Sequence, residues 1–165
     1  MPDSLYEQDI LAWSDHQADL LRRLARGERV TDIDWVHVVE EIEDVGLSEL
    51  NAVRSHLRLM LVHLLKVYGW PVRLSVAHWR EEIAAFQAEA AQRFSPPMRH
   101  RIDLDRLYAA ALKQVNAADY GRQPAPWPVE CPCSVDQLLN DDVATLGATM
   151  AAVAQRLAAS DEAPR

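Results

Sequence analysis

Apolar residues recur at helical spacing along nearly the whole chain, and no stretch alternates between apolar and polar positions as a strand would. The first helix is expected over residues 8–26, with Ile10, Trp13, Leu20, Leu21 and Leu24 as its apolar stripe. Gly27 suits the left-handed position past its end. The run Thr31-Asp32-Ile33-Asp34-Trp35 opens a second helix, and either aspartate can cap it by accepting a backbone N–H. Trp35, Val38, Val39, Ile42 and Val45 then share one face, read as core-facing. Gly46-Leu47-Ser48 is either a break or a soft spot within one long helix. Over residues 50–68 the pattern is apolar around most of the circumference, and Arg54 and Arg58 mark the outer face. Such a helix sits centrally, covered on several sides. Tyr68-Gly69-Trp70-Pro71 ends it, because proline disfavours helical backbone at the residue before it.

Residues 75–94 form an amphipathic helix with Trp79, Ile83, Phe86 and Ala90 on one stripe, stopped by Ser95-Pro96-Pro97. Leu104, Leu107, Tyr108, Ala111, Leu112 and Val115 give another, ending near Tyr120-Gly121. Prolines 124, 126, 128 and 132 make residues 123–133 an extended connector. Ser134 and Gln137 form a capping box ahead of Leu138-Leu139. Val143, Leu146, Met150, Val153 and Leu157 line a last helix. The expected architecture is all-α: a mostly antiparallel helical bundle with a central apolar helix and a Pro-rich C-terminal arm. The N-terminal helix and that arm are expected to wrap over the centre. A chain of 165 residues fits one domain, taken as residues 1–160 with a frayed tail at 161–165.

Charge changes the picture. Lys plus Arg is 17 against 25 Asp plus Glu, a formal charge of −8. Nucleic acid is an unexpected partner, because phosphate binding needs clustered Lys and Arg. The first 50 residues carry 13 acids and 4 bases, whereas residues 51–120 carry 6 acids and 10 bases. This polarity can dock the N-terminal arm on the middle of the chain, or steer a basic partner. Two cysteines, Cys131 and Cys133, are too few for a disulfide framework or a thiolate zinc site and read as reduced thiols. The first residues lack a basic segment followed by a long apolar run, and the stretch 57–68 is interrupted by Arg58, His63 and Lys66. No membrane association and a cytoplasmic location are expected.

Two polar constellations could carry chemistry. Glu40, Glu41, Glu43 and Asp44 are consecutive or nearly so; on a helix, Glu41 and Glu43 flank the apolar face while Glu40 and Asp44 lie outside it. His56 and His63 are two turns apart, about 10 Å along the axis, and point inward. His63 could hydrogen-bond Glu41 or Glu43 in a buried polar network, with His56, Arg58 and Lys66 in support. Alternatively, the carboxylates and His63 could hold a divalent metal. Glu40-Glu41-x-x-Asp44 is similar to half of the carboxylate motif of all-α, metal-dependent nucleotide pyrophosphohydrolases; the Glu-x-x-Asp half is missing. No Gly-rich phosphate loop or nucleophile elbow occurs. Trp13, Trp35 and Trp79 lie on apolar stripes and read as core, while Trp70 and Trp127 flank prolines.

Leu5-Tyr6-Glu7-x-Asp9-x-x-x-Trp13, Ile33-Asp34-Trp35, Glu40-Glu41-Ile42-Glu43-x-x-Gly46, and Leu57-Arg58-x-x-Leu61-x-His63-Leu64-Leu65-Lys66 occur in that order. Trp79-Arg80, Glu130-Cys131-Pro132 and Gln137-Leu138-Leu139 follow. The set resembles the bacterial "domain of unknown function 29" family over about residues 5–140. The resemblance implies a small helical bundle with no activity to carry over. His56 and Cys133 fall outside its pattern, and the helix after Asp142 extends past its usual end. Two functions follow: a non-enzymatic interaction or accessory protein, engaging a protein partner or a homo-oligomer, or a metal-dependent hydrolase of phosphate esters or nucleotides.

Overall fold

The computed structural model describes residues 4–69, 75–118 and 127–161, and every regular element among them is helical. The elements are α1 (Leu5–Gln8), α2 (Ile10–Ala25), α3 (Trp35–Gly69), α4 (Val76–Arg93), a 3-10 helix (Pro96–Arg101), α5 (Leu104–Asn116), α6 (Val135–Asn140) and α7 (Val143–Asp161). Trp70, Tyr120, Gly121, Pro124, Pro126 and the tail beyond Asp161 lie outside the described residues. The chain forms two compact units, residues 1–48 and 49–165. Helix α3 is unbroken through Gly46-Leu47-Ser48, so its first part belongs to one unit and its remainder to the other.

In the N-terminal unit, Ser4 and Glu7 cap α1 reciprocally, and the Asp9 carboxylate caps α2 by accepting from the Ala12 N–H at 3.0 Å. Helix α2 ends where Gly27 takes φ +85°, a conformation that favours glycine. The Glu28 N–H then reaches the Arg23 carbonyl at 3.2 Å and the Gly27 N–H reaches that of Leu24 at 2.9 Å, closing the helix end. Asp34, not Asp32, receives the N–H of His37, at 3.4 Å. Buried Gln17 accepts from the Asp34 N–H at 2.9 Å, and the Trp13 indole donates to the Asp34 carboxylate at 3.2 Å. The core is small: Trp13, Leu20, Ile33 and Val38, with Tyr6, Leu21 and Val30 packed against it.

The expected buried face of this part of α3 is corrected here. Val38 is buried, but Trp35, Val39, Ile42 and Val45 are exposed. The reason is rotational. Helices α1 and α2 meet α3 along Asp34, His37, Val38 and Glu41, and that contact surface is turned away from Trp35, Val39 and Ile42.

In the C-terminal unit, the α3 segment from Leu50 onward is the central element that its composition implies. Val53, Leu57, Met60, Leu61, Leu64 and Leu65 are fully buried. Ile83 and Ala90 of α4, Tyr108 and Ala111 of α5, Leu138 of α6, and Leu146 and Met150 of α7 complete the core. The Gln87 side-chain amide ties α4 to α6, donating to the carbonyls of Leu138 at 2.8 Å and Asp141 at 2.7 Å. The expected capping box at Ser134 and Gln137 is present. Of the Pro-rich connector, 127–133 is described and is non-helical. The Trp127 ring lies over the end of α3, 3.1 Å from where a Cβ at Gly69 would stand.

Candidate functional site

Two features combine unusual chemistry with position, one in each unit. The first is the uncovered face of α3 in the N-terminal unit. At 100° per residue, Trp35, Val39, Ile42 and Gly46 form its centre line, with Val36 and Leu47 to one side. These residues are all exposed, Ile42 by 68% and Val36 by 66%, and a Cβ added at Gly46 would meet nothing within 4 Å. Glu43 lies between Val39 and Val36 around this face and Glu40 borders it beyond Leu47, both exposed and without an ion pair among the described residues, while Asp44 lies on the opposite side of the helix. Glu41 instead accepts a hydrogen bond from the Tyr6 hydroxyl at 2.7 Å. That bond, with burial and the charges of Glu41, Glu40 and Asp44, pushes the tyrosine pKa up to about 12. Tyr6 also stacks on His37, ring centres 3.9 Å apart, and His37 Nδ1 lies 2.6 Å from the Asp34 carboxylate. That hydrogen bond raises the His37 pKa and, with the Trp13 N–H, lowers that of Asp34.

The second feature is His63, buried in the C-terminal unit. The expected partners Glu41 and Glu43 are not its partners. Its Nδ1 lies 2.8 Å from the Leu59 carbonyl and its Nε2 2.8 Å from the Glu82 carboxylate. A carbonyl oxygen cannot donate, so Nδ1 carries a hydrogen and donates to Leu59. His78 reaches the same Glu82 oxygen at 3.5 Å from one turn earlier on α4. Phe86 covers this pair, its ring centre 5.5 Å from that of His63 and 6.2 Å from that of His56. His56 Nδ1 is buried without a hydrogen-bond partner. Arg58 donates to the Gln114 amide oxygen, and Lys66 lies 5.8 Å above the Trp79 ring. Among the described residues, no three His, Cys, Asp or Glu side chains are grouped so that they could hold a metal ion.

Sequence reasoning had no means of selecting Glu82. The His78–Glu82 spacing of four is common on helices, and the link to His63 comes only from the pairing of α4 with α3. Cys131 and Cys133 are free thiols; burial pushes their pKa values up to about 12 and about 11, the opposite of what a nucleophile needs. A shallow apolar groove of about 610 Å³ lies between α4 and α7, lined by Tyr68, Arg80, Ala84, Val143, Gly147 and Ala151. No described helix is long and apolar enough to cross a membrane.

No curated protein matches the chain. It is similar to an alpha-helical protein of unknown function from Rhodospirillum rubrum, known from its crystal structure. That likeness has 31% sequence identity and a TM-score of 0.67, over 92% of this chain and 98% of the other. A family model, described as a domain of unknown function, matches residues 5–144 and so takes in both features above, ending as α7 begins. The chain belongs to this family, DUF29.

Proposed function

We infer that the protein is a non-enzymatic interaction protein that docks a partner protein on the uncovered face of α3 in its N-terminal unit. One observation carries this reading. The helix keeps a single apolar stripe along its length, fully buried at Val53, Leu57, Met60 and Leu64 but exposed at Trp35, Val39 and Ile42. Exposed apolar residues scattered singly need no explanation, but a contiguous patch marks an interaction site. A hydrolytic reading needs Glu40, Glu41, Glu43 or Asp44 and His63 around one metal; Glu41 is engaged by Tyr6, and His63 by Glu82.

The test is photo-crosslinking in cells that make the protein. A benzophenone amino acid replaces Val39 in one variant and Ala152, an exposed position on α7, in another. A defined adduct from position 39 and none from position 152 is the expected result. No adduct from position 39 overturns the reading.

A further inference from the structure

We propose that the occupant of this face is a cationic amphipathic helix of another protein, an inference that rests on the docking role of α3. Charge is the first argument. Between Val30 and Val53 the chain has seven acids and no Lys or Arg. Four of them are committed: Asp32 accepts from Thr31, Asp34 from Trp13 and His37, Glu41 from Tyr6, and Glu49 pairs with Arg93. Glu40, Glu43 and Asp44 carry no ion pair among the described residues. The bases of this unit all lie between Arg22 and Arg29, at the end of α2 and just past it, where Arg23 and Arg26 already pair with Glu28. A second copy laid on this face would bring the same carboxylates against these, whereas Lys or Arg beside an apolar ridge would meet them with opposite charge.

Area is the second argument. With Trp35 exposed by 54%, Val36 by 66%, Val39 by 49%, Ile42 by 68% and Leu47 by 37%, the face offers on the order of 500 Å² of apolar surface. A stable interface between two globular proteins needs about 800 Å² from each. One helix laid along four turns of α3 needs less, its own ridges at i, i+3, i+4 and i+7 seating in the grooves beside this stripe. Gly46 sits on the centre line with open space above it and lets such a helix approach the α3 backbone.

The probe is a synthetic peptide of about three heptads. It carries leucine at the two core positions of each heptad and lysine at the flanking positions, with a fluorescent label. Its anisotropy is followed as the full-length protein is added. Micromolar binding is expected, weakened at least tenfold by Ile42→Glu and again by Trp35→Ala. It weakens severalfold when Glu40 and Glu43 become amides, and when salt is raised. Val129→Glu, at a position 90% exposed in the other unit, leaves binding unchanged. Equal binding by the Ile42→Glu variant, or by the same peptide with glutamate in place of lysine, overturns the inference. So does a dimer of the free protein, seen by light scattering and dispersed by Ile42→Glu, which makes the occupant a second copy. A crosslink from position 39 to a neutral or acidic partner ends this inference and leaves the docking role standing. The absence of any crosslink ends both.

Discussion

The two helical glycines Gly46 and Gly147 should respond oppositely to the same substitution. In a helix interior, alanine is worth about 1 kcal/mol over glycine through lower backbone entropy in the unfolded chain. A Cβ at Gly46 meets nothing, so Gly46→Ala should gain about that amount. A Cβ at Gly147 would stand 1.7 Å from the Tyr68 hydroxyl oxygen and 1.9 Å from its ring carbon Cζ. To restore contact distance the Tyr68 side chain must swing aside, or α7 or the end of α3 must shift by about 2 Å, and overpacking of this kind costs about 1–3 kcal/mol. The net effect of Gly147→Ala is a loss of up to about 2 kcal/mol, from the same two terms. Urea titration reads both changes, and Tyr68→Leu supplies the cross-check. In that background the overlap is gone, and Gly147→Ala should become stabilising, a coupling of about 1–3 kcal/mol in a double-mutant cycle. A full gain from Gly147→Ala beside an intact Tyr68 would refute the packing of α7 against Tyr68.

Ile42→Glu and Val53→Glu fall on one stripe of one helix, yet the first should change stability by no more than about 0.5 kcal/mol. The second buries an unpaired carboxylate and should leave the chain unfolded by circular dichroism. His63→Ala strands the Glu82 carboxylate, one-third exposed, and should cost about 1–3 kcal/mol in the urea midpoint. In wild type, nitrogen chemical shifts should show a hydrogen on His63 Nδ1; a bare Nδ1 would contradict the bond to Leu59. The His37–Asp34 bond adds a pH dependence. The raised His37 pKa contributes stability fully present below about pH 6.5 and lost as pH rises through the folded value. The lowered Asp34 pKa contributes stability present above about pH 3.9 and lost as pH falls through its folded value. Relative to His37→Gln, wild type should be most stable between those limits, and a flat difference across them would refute the pairing.

Helix α3 shows what the sequence could and could not convey. Its second half was legible because apolar residues cover most of its circumference; a central position satisfies that pattern, and the structure provides one. The turn chemistry was legible as well, at Gly27 and at the Ser134–Gln137 box, because local backbone demands select those residues within a few positions. The first half was misread because Trp35, Val39 and Ile42 have the same spacing as Val53, Leu57 and Met60. A helical stripe reports what a face is fit to bury against, not whether this chain supplies the cover. The candidate histidine was found for the same local reason, but its carboxylate was assigned to the wrong helix. The nearest acidic run lies on α3 itself, whereas Glu82 reaches His63 only because α4 packs alongside. Once Glu82 satisfies His63, the acidic run of α3 has no histidine to serve. Of its unpaired members, Glu43 and Glu40 lie to one side of the uncovered stripe, which is the placement the proposed cationic partner relies on. The polar network or metal cluster weighed for Glu40, Glu41, Glu43, Asp44 and His63 is thus divided between two pairings: His63 with Glu82, and Glu41 with Tyr6.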